Sequence, residues 1–257
     1  MEKEFKKFLD NFPIEKSQIL YVSSDILNIL IYHKYKNINF NANYFIDYLF
    51  DRIGNLGTLL FPTFSWDFCK GKNFDYKNTQ SETGSLSKIA LKRKDFIRTK
   101  HPIYSFTVKG KDAEKLFELD DQSGWGPDSI FAYFHKNSAK NFFIGIDYKL
   151  GFTFDHYFEE KVGVDYRYFK NFENFYIDHN GIKTKKIYKM YVRDLTLNIE
   201  TAISDKMDYE LISNNAYFKK SFQNINFGII DMKVAGDIME NDIRNKGNLI
   251  YAREFNG

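Results

Sequence analysis

His156 and Glu159 stand three residues apart in the stretch Gly151-Phe-Thr-Phe-Asp-His-Tyr-Phe-Glu159. In a helix that spacing puts an imidazole and a carboxylate on one face, about a turn apart. A neutral imidazole can take a proton near neutral pH, and a carboxylate beside it can fix the ring's tautomer. A core histidine capped by a chance acid fits the spacing equally well, so the setting has to decide. The stretch follows Asn141-Phe-Phe-Ile-Gly-Ile-Asp147, a short apolar run that reads as a buried strand ending in a loop. Open α/β proteins place their chemistry just beyond the carboxyl ends of strands.

The elements that must position this pair can be read in order. Phe5, Phe8 and Leu9 have helical spacing within residues 2–12. Gln18-Ile-Leu-Tyr-Val22 reads as a buried strand bounded by Ser23 and Ser24. Asn41 is placed to cap a helix over 43–53, with Phe45, Tyr48, Leu49 and Ile53 on one face. Gly57-Thr-Leu-Leu-Phe-Pro-Thr63 is a second buried strand, closed by a proline that cannot donate to a ladder. Strand, helix, strand in this order predicts a right-handed crossover and a largely parallel sheet. Helices are expected near 85–94, 111–119 and 129–136, with strands at 103–108 and 141–147. Residues 166–200 alternate aromatic, Ile and charged side chains and predict antiparallel strands with Asn180-Gly181 as the turn. A mixed α/β unit follows, with a helix over 234–244 and a closing strand at 249–252. The expectation is one domain over 1–257 carrying an added β-rich sub-structure near 165–225.

Composition narrows the function. A chain of 257 residues can bury a sizeable core. Net charge is +3, from 37 basic and 34 acidic residues, so no nucleic-acid footprint stands out. A single cysteine, Cys69, excludes an internal disulfide framework and fits a reducing compartment. No apolar run reaches the length of a membrane span, and the N-terminus carries no apolar signal core. A cytoplasmic protein is expected. The 27 phenylalanines and 18 tyrosines read as genome bias rather than as an aromatic binding face.

Three further features can carry chemistry. The long aperiodic segment from Ser65 to Gly84 has the character of a binding loop. Residues 92–100 hold five basic side chains, which form either a solvated helix end or a phosphate clamp. Pro102 holds His101 extended at a strand entry.

An ordered set of blocks then resembles the aminoglycoside 3-N-acetyltransferase (antibiotic N-acetyltransferase) family. The blocks are Ile19-Leu-Tyr-Val-Ser-Ser24, Gly57-Thr-Leu-Leu-Phe-Pro-Thr63 and Thr79-Gln-Ser-Glu-Thr-Gly-Ser85. They continue as Arg98-Thr-Lys-His-Pro-Ile-Tyr-Ser105, Gly124-Trp-Gly-Pro-Asp-Ser129 and Thr153-Phe-Asp-His-Tyr-Phe-Glu159, followed by Tyr166-Arg167. The resemblance spans about residues 18–167. It implies a three-layer αβα sandwich with a mostly parallel central sheet, acetyl-coenzyme A as donor, no metal, and a sugar amine as acceptor. It implies His156 as general base, oriented by Glu159 as in a hydrolase triad. Ser23, Ser24, Arg98, His101 and Ser105 match its cofactor-contacting blocks, and Trp66, Asp67 and Tyr157 its acceptor side. Cys69 has no part in direct transfer and reads as a structural thiol.

The chain departs from the family at Val22, where a histidine normally precedes the paired serines. The residues expected to be glycines a little later lie within Asp25-Ile-Leu-Asn-Ile-Leu30. Its mildly basic balance, pI about 8.6, favours an anionic, nucleotide-linked amino sugar destined for a surface polysaccharide over a polycationic antibiotic. Acetylation of an aminoglycoside is the alternative. Two other classes stay open: a metal-dependent hydrolase using His156, Glu159 and His101 or His135, and a catalytically silent binding module. Subunit count, monomer or homodimer, is open.

Overall fold

Leu20, Val22, Leu59, Phe61, Phe142 and Ile144 belong to one buried cluster, while Tyr21, Leu60 and Phe143 belong to another. Neighbours along each strand thus alternate between two cores, as the two-residue period of a pleated strand requires. A sheet with a core on both faces needs helices on both faces, and three layers result.

The computed structural model describes residues 2–254. The chain runs through α1 (Lys3–Asp10), β1 (Ile19–Ser24), α2 (Leu27–Tyr35), α3 (Ala42–Ile53) and β2 (Thr58–Pro62). A long loop carrying the two-residue β3 (Phe74–Asp75) leads to α4 (Ser85–Leu91), β4 (Ile97–Arg98) and β5 (Phe106–Gly110). Next come α5 (Ala113–Glu118), α6 (Ile130–Lys136), β6 (Lys140–Ile144) and α7 (Asp155–Val162). A ribbon of β7 (Arg167–Ile177) and β8 (Lys183–Arg193) precedes β9 (Ile199–Ile203) and α8 (Lys206–Ser213). The chain continues through β10 (Tyr217–Phe222), β11 (Ile225–Asp231), α9 (Met232–Arg244) and β12 (Ile250–Glu254).

The main sheet has the order β10-β11-β6-β1-β2-β5-β4. β6, β1 and β2 are mutually parallel at its centre, and the outer strands join antiparallel. One face is covered by α1 to α4, through residues such as Phe5, Ile29, Phe45 and Leu86. The other is covered by α5 to α9, through Leu116, Phe131, Phe158, Met207 and Met239. Each fully buried Leu, Ile or Phe among these contributes roughly 1.5–3 kcal/mol. β7 and β8 form a separate ribbon, onto which β3 pairs in parallel. Residues 217–222 lie at the edge of the main sheet, so the added antiparallel ribbon ends at Arg193. β12 pairs with β9 in a sheet of two strands, not with the main sheet.

Most expected elements form where their signals lie. Asn41 caps α3 by accepting from Tyr44 N at 3.0 Å. Gly181, with φ 84°, closes the β7–β8 turn. The helix over 27–35 was not expected. Its buried face (Ile29, Tyr32, His33) and its exposed face (Leu27, Leu30, Ile31) are both apolar, so no amphipathic period marks it.

The step from β6 to the focal stretch depends on Gly145. It adopts φ 69°, and a Cβ there would stand 2.1 Å from the Asp25 carbonyl oxygen. Gly145→Ala combines a left-handed backbone with that collision and should cost at least about 2 kcal/mol. Urea denaturation should show a lowered midpoint, and an unchanged midpoint would mean that this turn is free to move.

Candidate active site

α7 presents the pair predicted from spacing. Phe152 and Phe154 anchor the approach in the core, and Gly163 in the left-handed region ends the helix. His156 Nδ1 lies 2.6 Å from Glu159 Oε2. Glu159 is 1% exposed, so its charge must be met within the protein. Tyr166 Oη donates to Oε1 at 2.9 Å. Arg167 Nε is 2.9 Å from Oε2, but off the line of its N–H, which makes this an ionic contact rather than an aligned hydrogen bond. Arg167 Nη1 donates to the Tyr191 carbonyl at 3.1 Å and so fixes the guanidinium to the ribbon.

These contacts set the protonation states. Burial alone would raise Glu159, yet His156, Arg167 and Tyr166 together hold it down at about 2. Glu159 is therefore ionised and is the nearer partner of Nδ1, to which it offers an acceptor at 2.6 Å, while Arg167 Nη2, which can only donate, stands 3.2 Å from the same nitrogen. Nε2 has no protein partner among the described residues, and the side chain is 27% exposed, on the wall of a cleft of about 540 Å³. Asp155 adds a second carboxylate, 3.2 Å from Nδ1, and burial raises it to about 6. Burial of the imidazole disfavours its cation, but Asp155 and Glu159 outweigh that, and the pKa of His156 is raised. The ring's other side meets Trp125, with centroids 4.8 Å apart. The Trp125 indole N–H is buried without an acceptor among the described residues.

The acceptor-side expectations divide. Trp66 joins an aromatic series that ends at His156, through Phe64, Tyr104 and Trp125. Asp67 is paired with Lys72 at 2.9 Å in a partly exposed bridge, so its carboxylate is already matched. The acid that holds this loop is Glu82, which accepts from Trp66 N at 2.7 Å. Tyr157 is not at the site. It stacks on Phe154 and borders His135 and Lys161, because adjacent helical residues point about 100° apart.

The residues expected around the cofactor are mostly engaged within the fold, Arg98 among them. Arg98 is 4% exposed and donates to Ser105 Oγ and to the carbonyls of Thr79, Tyr76 and Thr63. Ser105 is itself bonded to Thr63, and Ser23 to Asn141. In the same basic run, Arg93 is held by Asp47 and Asp95, and Lys100 by Glu118. His101 Nδ1 accepts from the N–H groups of Ile103 and Tyr104, and burial pushes its pKa down to about 3. It is a neutral corner of the fold. Ser24 alone of the five is partly exposed, at the carboxyl end of β1 beside Gly84.

The histidines of the metal reading do not converge. His135 faces Asp237 and α9, and among the described residues no group of three His, Cys, Asp or Glu side chains is placed to hold a metal ion. Cys69 contacts Met190 Sδ at 3.5 Å, and burial pushes its thiol up to about 11, which disfavours the thiolate. Sequence reasoning left Asp155, Tyr166 and Arg167 without roles at the His156–Glu159 pair. Their signal was a place in the blocks that carry the resemblance, Asp155 within Thr153–Glu159 and Tyr166-Arg167 just after it.

Arg98→Leu would leave the Tyr76 and Thr79 carbonyls without their donor, while Thr63 would keep the Ser105 hydroxyl. A loss of about 3 kcal/mol or more in urea denaturation is expected, with coenzyme A affinity of the folded protein retained. A variant as stable as the parent but weaker in coenzyme A binding would return Arg98 to the donor's site.

Comparisons with known proteins identify the fold and the family. Residues 32–241 match the sequence profile of the family described as aminoglycoside 3-N-acetyltransferase. No curated protein sequence matches the chain. Among solved structures, aminoglycoside acetyltransferase AAC(3)-Xa superimposes with a TM-score of 0.76 at 15% identity, over 95% of this chain and 92% of that one. AAC-VIa bound to sisomicin gives 0.76 at 14% identity, over 95% and 97%. AAC-IIIb with coenzyme A gives 0.70 at 14% identity, over 93% and 94%. Identities this low speak to the shared fold. The profile match covers most of the chain, and the chain belongs to the aminoglycoside 3-N-acetyltransferase family, whose acetyl donor is acetyl-coenzyme A.

Proposed function

We propose that the protein transfers the acetyl group of acetyl-coenzyme A directly to a primary amine of an aminoglycoside-type amino sugar, with His156 as general base. Family membership supports the reaction and the acceptor class. The observation that carries the assignment to residues is the 2.6 Å contact between His156 Nδ1 and the buried Glu159 carboxylate. It commits the Nδ1 proton and leaves the Nε2 lone pair to the cleft. Net charge alone had favoured a nucleotide-linked acceptor, but the family match supports the aminoglycoside reading better.

The sequence of events follows from those groups. The sugar amine nitrogen attacks the thioester carbonyl carbon while Nε2 accepts the amine proton. The imidazolium so formed is stabilised by ionised Glu159, which Tyr166 and Arg167 hold in place. The tetrahedral centre collapses, the carbon–sulfur bond breaks, and the imidazolium returns its proton to the departing thiolate. The products are the N-acetyl sugar and coenzyme A thiol. The scheme needs no acyl intermediate on Cys69, whose raised pKa disfavours the thiolate.

Thiol release from acetyl-coenzyme A with a panel of amino sugars tests the reading. His156→Asn should lower kcat by about 10²–10⁴, the usual contribution of a positioned acid–base group. A variant close to the parent rate would mean that the base is misassigned.

The pH profile provides an independent check. Because the folded protein raises the pKa of His156, the neutral base appears only as pH rises through a value above its ordinary 6.5. Thus kcat/KM should climb along an acid limb centred above that value. Glu159→Gln removes part of what raises the ring, and the limb should move to lower pH as kcat falls. A limb that stays in place would show that Glu159 does not act on the imidazole.

A further inference from the structure

Two buried polar atoms near Trp125 have no hydrogen-bond partner among the described residues: His101 Nε2 and Asp121 Oδ2. Both residues line one small cavity of about 20 Å³, together with Tyr104 and Gly124. The backbone decides which of the two atoms donates. His101 Nδ1 accepts from Ile103 N at 3.2 Å and from Tyr104 N at 2.9 Å, so its lone pair is spent there. Burial keeps the ring neutral, and a neutral imidazole has one proton, which must then sit on Nε2. His101 Nε2 is thus a buried donor. On Asp121, Oδ1 accepts from Ser123 N at 3.0 Å, and Oδ2 is left as a buried acceptor. Gly124 keeps the space open to neither side chain: at φ 77°, a Cβ there would stand 2.7 Å from Tyr104 Cδ2 and 3.3 Å from His101 Nε2. A buried donor and a buried acceptor each lose several hydrogen-bond equivalents of solvation unless something joins them. The volume admits one water, which needs about 10–15 Å³ and at least two polar partners. The N–H excludes a cation from the same place, and the carboxylate excludes an anion.

We propose that this cavity is the site of one resident water, which accepts from His101 Nε2–H and donates to Asp121 Oδ2, and so fastens the 121–125 loop to the strand entry at His101. The loop already has two other attachments. Ser123 Oγ donates to Glu160 Oε2 on α7 at 2.5 Å, and Lys189 N on β8 donates to the Gln122 carbonyl at 2.8 Å. The water supplies the third, and the three together hold Trp125, whose ring centroid lies 4.8 Å from that of His156. Asp121 and His101 are therefore positioning residues for Trp125. A histidine at 101 is also explained, because one ring nitrogen accepts from the backbone while the other donates across the cavity. None of this depends on His156 being the base.

A high-resolution crystal structure of the parent protein tests the site directly. One density peak should lie at hydrogen-bond distance, about 2.6–3.2 Å, from both His101 Nε2 and Asp121 Oδ2. A dry cavity, or direct contact between the two side chains, overturns the proposal. The link itself is tested by a double-mutant cycle of His101→Asn, which retains an acceptor for the backbone N–H groups, and Asp121→Ala. Each single variant should lower the folding equilibrium constant by about tenfold or more, and the double variant by clearly less than the product of the two. Effects that multiply would show that the two side chains act separately, and would overturn the link. The consequence for the loop is read from fluorescence. Trp66→Phe leaves Trp125 as the one tryptophan, and in that background the folded Asp121→Ala protein should emit at longer wavelength than its parent. Unmoved emission would show that the water does not hold the loop. None of these readouts uses turnover, so a failure of the acetyl-transfer reading would leave them unchanged.

Discussion

Burial of the Glu159 carboxylate is the constraint on which the site depends. An ionised carboxylate out of water is costly unless it is paired and hydrogen-bonded, and removing one partner of such a group usually costs several kcal/mol. Its partners come from three places: His156 one turn earlier on α7, Tyr166 in the following loop, and Arg167 at the start of β7. Arg167 in turn reaches the β8 carbonyl of Tyr191, whose hydroxyl donates to the Val164 carbonyl. One buried charge thus joins the helix carrying the base to the ribbon that walls the cleft. The antiparallel ribbon is thereby part of the site and not an ornament on the sandwich.

Legibility in the sequence followed the strength of local signals. Strands buried on both faces appear as apolar runs closed by Ser, Pro or Gly, and β1, β2 and β6 were readable for that reason. The His156–Glu159 pair was readable because a helix converts a spacing of three into contact. Strand direction was less so. That β5 runs antiparallel to β2 depends on the path of residues 63–105, which carries no local code for direction. The basic run at 92–100 shows the limit most plainly. Arg93, Arg98 and Lys100 look alike in sequence, yet one is clamped by two acids, one is buried among carbonyls and one is bridged to a helix. Charge type is local information; the partner that neutralises it lies up to 46 residues away.

His101 and Ser105 teach the same lesson from the other side. Both fall in a block that resembles a cofactor-contacting motif, and both are spent on the backbone around them. A motif can persist because it folds the corner behind a site. His101 illustrates this: its Nδ1 accepts two backbone N–H groups after Pro102, and burial keeps it neutral throughout the working pH range.

The electrostatics of His156 show why three charged groups surround a single base. Raising an imidazole's pKa makes it a stronger base but lowers the fraction that is neutral, so the useful value lies near the working pH. Asp155 and Glu159 push it up, and burial and Arg167 push it down. Without Arg167, Glu159 would lose a cation and His156 would face two carboxylates with less opposition, so the ring would be more often protonated before an amine arrived. Without the carboxylates, burial would leave a weak base with no fixed tautomer. The arginine therefore has two consequences that cannot be separated by inspecting one contact. It keeps Glu159 ionised, which orients the imidazole, and it limits how far that same carboxylate raises the imidazole's pKa.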